Sequence, residues 1–343
     1  MEAKEEPSMK SSGIVCKNCG KSDFPSRNQL YRHLKDCLLN RNPFNYPIVD
    51  QSEFLRENEA FIYVTGGRFR GKTLNFIERY NCSTDSWEDM PDMQEHRGSH
   101  GSVAINQYLY ILGGGGLHSN LTSGEKINCN SFVSEPLSPM LNCRHAFSVV
   151  SYDNRYIFTI GGWENGSICC TQIEKFDTET SEWTACASMP TGRRLFGAAV
   201  CGSKIYCFGG KREDLVWDSD VLEIYDILTN TWSTGLPLPM PGQTSAVTIK
   251  DFIYVTIHGH SLYRYDPSRN IYEILVHSLP LFNWYCFDMT TINQELYFHG
   301  GNIDGKWSNS LWKYNPYLDT WKELTPMKRV RRRCSAAVLI IPK

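Results

Sequence analysis

Short apolar runs alternate with polar breaks along most of the chain, from Ala60 onward. Runs such as residues 61–64 end in breaks rich in Gly, Asn and Asp, which is typical of β-strands joined by turns. No long amphipathic helical pattern interrupts them. The sequence therefore predicts an all-β domain preceded by a separate N-terminal region. We expect four segments: a disordered tail at 1–13, a Cys/His unit at 14–39, a linker at 40–59 and the all-β domain at 60–343.

A repeat of about 48 residues organises the all-β region. Apolar runs lead into Gly pairs that are spaced by 47, 48, 48 and then 91 residues. The last gap is close to two periods, and His258-Gly259-His260 holds the place of the missing pair. The pairs are Gly66-Gly67, Gly113-Gly114, Gly161-Gly162, Gly209-Gly210 and Gly300-Gly301.

An aromatic residue followed by Trp seven positions later recurs downstream of these pairs. Polar turn residues separate the two, which predicts a pair of antiparallel strands. The four instances are Tyr80 with Trp87, Phe176 with Trp183, Tyr225 with Trp232 and Tyr314 with Trp321; Tyr265 and Tyr272 occupy the eroded fifth copy. Together with the Gly pairs, this pattern resembles the kelch repeat over residues 60–343. The resemblance implies an all-β fold in which each repeat is one four-stranded blade of a β-propeller.

A loop with Met or Leu followed four residues later by Arg precedes each small-apolar strand. Four copies keep the arginine, whereas Met240 and Leu279 lead to Thr244 and Asn283. The last apolar strand, residues 335–339, has no Gly pair after it, and the first Gly pair has no such strand before it. The sequence therefore predicts a six-bladed kelch β-propeller, closed by pairing of the C-terminal strand with the strand that begins at Ala60.

Composition and charge exclude several classes of protein. The 343 residues hold 35 Lys and Arg against 37 Asp and Glu, and this net charge of −2 is not that of a polycation that grips nucleic acid. The longest apolar run, Ala336–Ile341, is too short to span a membrane. The N-terminus lacks a hydrophobic signal core, so we expect an intracellular protein, cytoplasmic or nuclear. The 13 Cys are then expected to be thiols or metal ligands.

The N-terminal Cys/His unit predicts a single zinc finger. Its candidate ligands follow the spacing Cys16-x2-Cys19-x13-His33-x3-Cys37, with Phe24 and Leu30 as a small core. The pattern resembles a ββα finger in which Cys replaces the last His. Four such ligands suit a structural Zn²⁺ ion and leave no open coordination position. One finger reads about three base pairs, so contact with nucleic acid and contact with protein both stay open.

One motif superficially indicates an enzyme. Residues 66–73 satisfy the phosphate-binding pattern G-x4-G-K-T. That loop must open a helix, whereas residues 74–80 align with the third strand of a kelch repeat. His258 and His260 are interpreted as repeat erosion, and Cys169 with Cys170 as neutral thiols. We therefore expect a non-enzymatic protein.

The Met-x3-Arg loops are all expected at one end of the blades, around the mouth of the axial channel. Kelch adaptors hold an acidic or polar peptide on such a face, and the resemblance implies the same here. Arg supplies bidentate recognition of anions, and Trp and Tyr are good anchors. The alternative is that these arginines cap strand ends and pair with neighbouring backbone. The predicted partner-binding residues are Arg97, Arg144, His145, Arg193, Arg194, Trp284, Tyr285, Arg329, Arg331 and Arg332.

The sequence thus predicts a monomeric protein-interaction adaptor, with a partner protein on the propeller face and a second partner on the finger. Two alternatives stay open. The chain could serve as a substrate receptor of a ubiquitin ligase, although no BTB or F-box segment is evident before residue 60. It could also be a nucleic-acid-associated factor that contacts RNA or DNA through the finger.

Overall fold

The computed structural model describes residues 14–16, 51–164, 169–213, 218–276, 279 and 284–343, with side chains from Phe54 onward. The predicted zinc finger, apart from its first three residues, lies outside this part of the chain. No helix among the described residues has the length and apolar character to cross a membrane.

The described elements comprise one helix and 30 strands. In chain order they are β1 (Ile14–Cys16), α1 (Gln51–Glu57), β2 (Asn58–Thr65), β3 (Arg68–Phe69), β4 (Lys72–Thr73), β5 (Ile77–Asn81), β6 (Ser86–Met90), β7 (Gly101–Ile105), β8 (Tyr108–Leu112), β9 (Gly124–Asn128), β10 (Ser134–Pro136), β11 (Ser148–Tyr152), β12 (Tyr156–Ile160), β13 (Ile173–Asp177), β14 (Glu182–Ala185), β15 (Gly197–Cys201), β16 (Lys204–Phe208), β17 (Leu222–Asp226), β18 (Thr231–Thr234), β19 (Thr244–Ile249), β20 (Phe252–Ile257), β21 (Leu262–Asp266), β22 (Ile271–Val276), β23 (Trp284–Tyr285), β24 (Asp288–Ile292), β25 (Glu295–His299), β26 (Asn302–Ile303), β27 (Lys306–Trp307), β28 (Leu311–Asn315), β29 (Thr320–Leu324) and β30 (Ser335–Pro342).

Most of these strands form six antiparallel sheets, named here sheets 1 to 6 and written from inner to outer strand. They are sheet 1 (β30, β2, β5, β6), sheet 2 (β7 to β10), sheet 3 (β11 to β14), sheet 4 (β15 to β18), sheet 5 (β19 to β22) and sheet 6 (β24, β25, β28, β29). Strand β1 joins the outer edge of sheet 5 in parallel with β22. Two short hairpins, β3–β4 and β26–β27 with β23, lie outside the six.

The inner strands of the sheets pack against one another in a closed succession. Strand β30 contacts β7, and contacts then follow between β7 and β11, β11 and β15, β15 and β19, β19 and β24, and β24 and β30. The molecule therefore has the all-β architecture of repeated four-stranded sheets that the resemblance implied, consistent with a kelch β-propeller.

The C-terminal strand completes the first sheet. Strand β30 pairs with β2 over eight residues, from Asn58 opposite Pro342 to Thr65 opposite Ser335. The predicted pairing of the chain's end with the strand near Ala60 is confirmed. Six residues of β2, from Ala60 to Thr65, are buried, because this strand lies inside its sheet and neighbouring sheets cover both of its faces.

The tryptophans join neighbouring sheets. Trp87 packs on Tyr80 with ring centroids 5.2 Å apart, and its indole N–H donates to the Thr325 carbonyl oxygen of sheet 6 at 2.8 Å. Trp183 and Trp232 make the same bond to the sheet before them. In the eroded fifth repeat, the Tyr272 hydroxyl donates to the Leu236 carbonyl at 2.9 Å and so replaces the indole.

The second Gly of each pair links its sheet to the next. Its N–H donates to a backbone oxygen of the loop before the next inner strand, at 2.8 to 3.0 Å in all six instances. The acceptor is the predicted arginine in four of them, whereas Gly242 and Trp284 accept in place of the predicted Thr244 and Asn283. Gly259 makes this bond to Trp284, so it does occupy the place of the missing pair. The first Gly is required by space as well as by conformation: at Gly66, with φ of 48°, a Cβ would lie 2.4 Å from the Arg97 oxygen.

Residues 66–73 hold the short hairpin β3–β4 and continue into strand β5. A phosphate-binding loop instead leads into a helix whose N-terminus faces the phosphates. The G-x4-G-K-T match is therefore a Gly pair followed by a hairpin.

Candidate partner-binding face

The four arginines of the Met-x3-Arg loops anchor those loops to the sheets that follow. Arg144 donates to the backbone oxygens of Gly161 at 3.1 Å and Gln172 at 2.9 Å, and to the carboxylate of Glu174. The other three arginines repeat this arrangement. The sets are Arg97 with Gly113, Ser123, Glu95 and Glu125; Arg193 with Gly209, Val221 and Glu223; and Arg331 with Gly66, Phe76 and Glu78.

Burial corrects the expectation that these four guanidinium groups face a partner. Arg97 is 1% exposed, and Arg144, Arg193 and Arg331 are 0% exposed. Their charges are matched by buried glutamates and their N–H groups by carbonyl oxygens, which makes burial of a guanidinium tolerable. The alternative interpretation, in which they cap strand ends and pair with backbone, is the one that the structure supports.

Trp284 belongs to the same scaffold, although it was expected on the binding face. It takes the place of the arginine before sheet 6, one residue after the predicted Asn283, and is 0% exposed. Its indole N–H donates to the Gly300 oxygen at 2.7 Å, the same first-Gly carbonyl that the arginines cap in other sheets. An indole therefore replaces a guanidinium and its carboxylate with one neutral hydrogen bond.

We call the four buried arginines and Trp284 the anchors. The side chain of the residue after an anchor points to the opposite side of the backbone, toward the loop surface. Tyr285 is 37% exposed, and His145, Arg194 and Arg332 are half-buried. Each of these four pairs antiparallel with the residue that follows a second Gly, so anchor and neighbour alternate in direction as in any strand. The pairs are Arg332 with Arg68, His145 with Trp163, Arg194 with Lys211, and Tyr285 with Asn302.

Two of these pairs place like charges directly opposite each other. Arg68 and Arg332 exchange backbone hydrogen bonds of 2.8 and 3.2 Å, and Arg194 and Lys211 exchange bonds of 3.0 and 2.8 Å. Side chains opposite each other in such a pair lie on the same face, and like charges there are unfavourable. We call the cations of this surface, together with the adjacent Arg333, the basic arc; its members are Arg68, Arg194, Lys211, Arg332 and Arg333.

Arg68 crosses from sheet 1 over the two glycines of sheet 2. A Cβ at Gly98 would lie 2.7 Å from Arg68 Cγ, and a Cβ at Gly115 would lie 2.7 Å from Arg68 Nη2. Burial and the charges of Arg333 and Arg332 lower the pKa of Arg68. These two glycines therefore leave space for the Arg68 side chain, whose guanidinium is close to other positive charges.

His145 connects Arg68 to the sheet 4 part of the basic arc. It stacks on Trp163 with ring centroids 5.9 Å apart, and the guanidinium carbon of Arg194 lies 3.5 Å from the centre of the Trp163 ring. Burial, followed by the charges of Arg68, Arg333 and Arg194, lowers the pKa of His145 to about 4. The histidine is therefore neutral at neutral pH and acts as an aromatic surface rather than as a cation.

Trp307 supplies a second aromatic surface, beside sheet 1. The guanidinium carbon of Arg332 lies 4.8 Å from its ring centre, and Phe69 packs edge-on against it at 5.3 Å. The arc thus has an aromatic platform near each end. Arg329 lies apart from it, because it pairs with Asp89 and Glu78 and covers the Phe76 ring.

Two cavities open beside the basic arc. A groove of about 910 Å³ is lined by Arg68, Lys72, His145, Trp163 and the carboxylate of Glu164, among others. An axial cavity of about 430 Å³ lies between the inner strands. Arg333 stands on its rim, where its backbone N–H donates to Cys286 and its oxygen accepts from Ser99.

Sequence reasoning missed Arg68, Lys211, Trp163 and Trp307. The first three share a signal that could have found them, because each directly follows a Gly pair. A residue at that position pairs with the residue after an anchor and therefore shares its exposed face. Trp307 belongs to the separate β26–β27 hairpin, and no repeat position marks it.

No three His, Cys, Asp or Glu side chains converge as a metal site in the part of the chain described here. The candidate zinc ligands Cys19, His33 and Cys37 lie outside that part, and for Cys16 only the backbone is described. The zinc site therefore stays a prediction. Burial raises the pKa of Cys170 to about 12, which keeps this member of the vicinal cysteine pair a neutral thiol.

Repeated four-stranded sheets, joined through Gly pairs and wedged by aromatic residues, define the β-propeller class. The kelch motif family matches residues 62–94, 143–190, 192–238 and 284–328, which together make up half of the chain, and the chain belongs to the kelch-repeat family. Among curated proteins it is similar to Kelch-like protein 38 of Homo sapiens, with 24% identity over 291 residues, covering 77% of this chain and 47% of the relative.

Other relatives match over shorter stretches. Kelch-like protein 26 of Danio rerio is 26% identical over 184 residues, covering 52% of this chain and 30% of the relative. Kelch-like protein 40 of Xenopus laevis is 26% identical over 209 residues, covering 58% and 33%. The chain spans about half the length, or less, of these curated relatives.

Proposed function

We propose that this chain is a non-enzymatic protein-interaction adaptor built on a six-bladed kelch propeller that the C-terminal strand closes. Sheets 1 to 6 are its blades. The loop face that carries the basic arc binds an acidic or polar segment of a partner protein. His145, Arg194, Tyr285 and Arg332 are the members of the predicted set that contribute to this face.

The basic arc is the observation that supports this function. Two backbone pairs hold like charges opposite each other. Lys211 of one pair has an ion-pair partner in Asp218 at 3.3 Å. Among the described residues, Arg68 and Arg332 of the other pair have none, so this pair costs stability unless a ligand supplies the opposite charge. Arg194 and Arg332 also lie over the rings of Trp163 and Trp307, and Arg and Trp are enriched among the residues that dominate protein interfaces. Since the chain as a whole has a net charge of −2, the basic surface is local.

Affinity purification of variants with reversed charge tests this proposal. We expect Arg332→Glu and Arg194→Glu to lose partners that the unchanged chain retains. Arg269→Glu makes the same charge change in the exposed turn between β21 and β22, at the opposite end of the strands, and serves as the control. An identical partner set for all three variants would exclude the arc as the binding surface.

We further propose that residues 14–39 form a CCHC zinc finger that tethers a second partner. The spacing of Cys16, Cys19, His33 and Cys37 supports this proposal. Metal analysis of the purified chain should give one zinc per chain, and Cys19→Ser with Cys37→Ser should remove it. Retention on RNA or DNA columns that falls with salt and disappears in this variant would instead favour the nucleic-acid alternative.

A substrate receptor of a ubiquitin ligase is the second candidate function. Similarity to Kelch-like proteins favours it, while the chain spans about half of their length or less. Recovery of a ligase scaffold in the same affinity purification, independent of the basic arc, would support this function. Its absence from the recovered set would leave the adaptor as the better description.

A further inference from the structure

We infer that the end of the basic arc formed by Arg68, Arg332 and Arg333 is a phosphate-binding subsite that takes a phosphorylated side chain of the partner protein. This inference rests on the proposed function, because it assigns a ligand chemistry to the same face. Such a subsite prefers a phosphorylated segment to a segment that is only acidic.

The way this molecule neutralises its other arginines is the first argument. Arg144, Arg193 and Arg331 each pair with a buried glutamate, so the protein itself supplies the counter-charge of each buried guanidinium. Among the described residues, no carboxylate forms an ion pair with Arg68, Arg332 or Arg333. Three neighbouring guanidinium groups therefore share a surface on which none of them has an ion-paired carboxylate among the described residues.

The arrangement of the three arginines is the second argument. Arg68 and Arg332 face the same side of one backbone pair, and Arg333 is the next residue along the chain. Arg333 lines the axial cavity beside them, and the charges of Arg333 and Arg332, after burial, lower the pKa of Arg68. Gly98 and Gly115 have no side chains, so Arg68 lies directly over their backbone, and it lines the groove of about 910 Å³.

The chemistry of the anion follows from these charges. A carboxylate carries one charge and two oxygens, which one guanidinium fork satisfies. A phosphate monoester carries a charge of about −1.5 to −2 at neutral pH and three acceptor oxygens, so it can accept from several guanidinium groups at once. The neutral His145 and the Trp163 ring border the same groove and can contact apolar atoms next to the phosphate.

A phosphoprotein fits this subsite better than nucleic acid does. The phosphodiester backbone repeats single charges along its length and is gripped by extended basic surfaces. Here the cations end at sheet 4 on one side, and Tyr285 with Asn302 continues the face of sheet 6 without charge. Glu164 adds a negative charge to the groove wall. The surface therefore suits one compact dianion.

Three degenerate peptide libraries test the subsite on the immobilised full chain. They are identical except that the central position is phosphoserine, glutamate or serine. We expect the phosphoserine library to be retained about tenfold more than the glutamate library, since an additional charged hydrogen bond contributes on this scale. Serine should be retained only at background level.

Variants locate the binding. Arg332→Gln and Arg333→Gln should each abolish the preference for phosphoserine, while Arg269→Gln, with the same loss of charge at the other end of the strands, should leave it unchanged. Arg68→Lys keeps the charge and loses the planar fork, so it should give an intermediate preference. Thermal unfolding confirms that each variant is folded, and Arg68→Lys keeps the test informative if a glutamine variant is not.

Several results would overturn the inference. Equal retention of phosphoserine and glutamate would mean that the face reads charge alone, and the proposed function would stand without the phosphate subsite. Stronger competition by a single-stranded oligonucleotide than by inorganic phosphate would indicate a phosphodiester ligand. A loss of binding in Arg269→Gln as large as in Arg332→Gln would show non-specific attraction.

Discussion

Arg193 and Arg194 are neighbours in the chain, yet they belong to two regions that differ in how their charges are balanced. Arg193 lies inside sheet 4, paired with Glu223 and capping two carbonyl oxygens. Arg194 lies on the loop face, opposite Lys211 and over the Trp163 ring. The buried arginines of the sheets are matched by charges that the protein itself supplies. In the basic arc cation lies beside cation, and among the described residues Lys211 alone has an ion-paired carboxylate, that of Asp218.

This difference indicates what each region does. A buried ion pair is strongly destabilising when one partner is lost, so the anchors hold the loops in place. Exposed like charges contribute nothing to folding, and a scaffold that keeps them does so at a small loss of stability. The anchors therefore fix the positions from which the arc presents its charges.

Removing the strand that closes the ring should have the largest effect on this arrangement. A chain truncated after Arg333 loses β30, which pairs with β2 and packs on β7 and β24. We expect loss of the cooperative unfolding transition in urea, followed by circular dichroism, because sheet 1 loses its inner strand.

A chain that ends at Ile341 is the control for this truncation. It keeps seven of the eight residue pairs between β2 and β30 and should retain the transition. An unchanged urea curve for the chain truncated after Arg333 would refute closure by the C-terminal strand.

Loss of one buried partner should have the next largest effect. Glu174→Ala leaves Arg144 buried without its carboxylate, and we expect a loss of about 3–5 kcal/mol in the free energy of unfolding. Glu135→Ala removes the exposed partner of Lys126 and should cost less than about 1 kcal/mol. Equal losses from the two variants in urea titrations would contradict the division into scaffold and surface.

The sequence predicted the scaffold better than the face. Gly pairs and aromatic positions mark contacts that every repeat must make, so the strands, the inter-sheet tryptophans and the closing strand could be read from spacing alone. The direction of Arg144 was not predicted, because it depends on an ion pair with Glu174, which lies 30 residues further along the chain. Trp284 shows the same limit, since an indole in place of an arginine breaks the pattern that would identify its role.

The exposed residues were found only in part for a related reason. Arg194 and Arg332 were predicted because they follow arginines of the repeat. Arg68 and Trp163 follow Gly pairs instead, and the backbone pairing that brings the two sets together is long-range. The zinc ligands lie outside the described residues, so that part of the site stays a prediction.

Asp288 contrasts with the buried glutamates because it is a buried carboxylate that pairs with no arginine among the described residues. It accepts hydrogen bonds from the N–H groups of Met289 at 2.9 Å and Ala336 at 3.0 Å, on the seam between β24 and β30. Burial raises the pKa of Asp288 to about 6. The native state then binds a proton that the unfolded state releases, so this group makes stability fall as pH rises from about 4 to about 6.

Asp288→Asn isolates this contribution. We expect the variant to gain about 2–3 kcal/mol relative to the unchanged chain between pH 4 and pH 7, measured by urea unfolding at each pH. His100, His258 and His299, whose pKa values burial lowers to about 3, destabilise both chains as pH falls and cancel in the difference. A difference that does not change with pH would exclude Asp288 as the titrating group.

The smallest effect is expected in the basic arc itself. Arg68→Gln removes one member of a like-charge pair, so it should leave stability unchanged or raise it by up to about 0.5 kcal/mol at low salt. Because salt screens exposed charges, the gain should disappear near 1 M salt, where the Debye length is about 3 Å. Arg70→Gln, an exposed arginine in the turn of the same hairpin, should change neither stability nor its salt dependence. If Arg68→Gln instead lowered the free energy of unfolding as much as Glu174→Ala does, Arg68 would stabilise the fold in the way that the buried arginines do. The distinction between arginines that stabilise the fold and arginines that bind a ligand would then be wrong for Arg68.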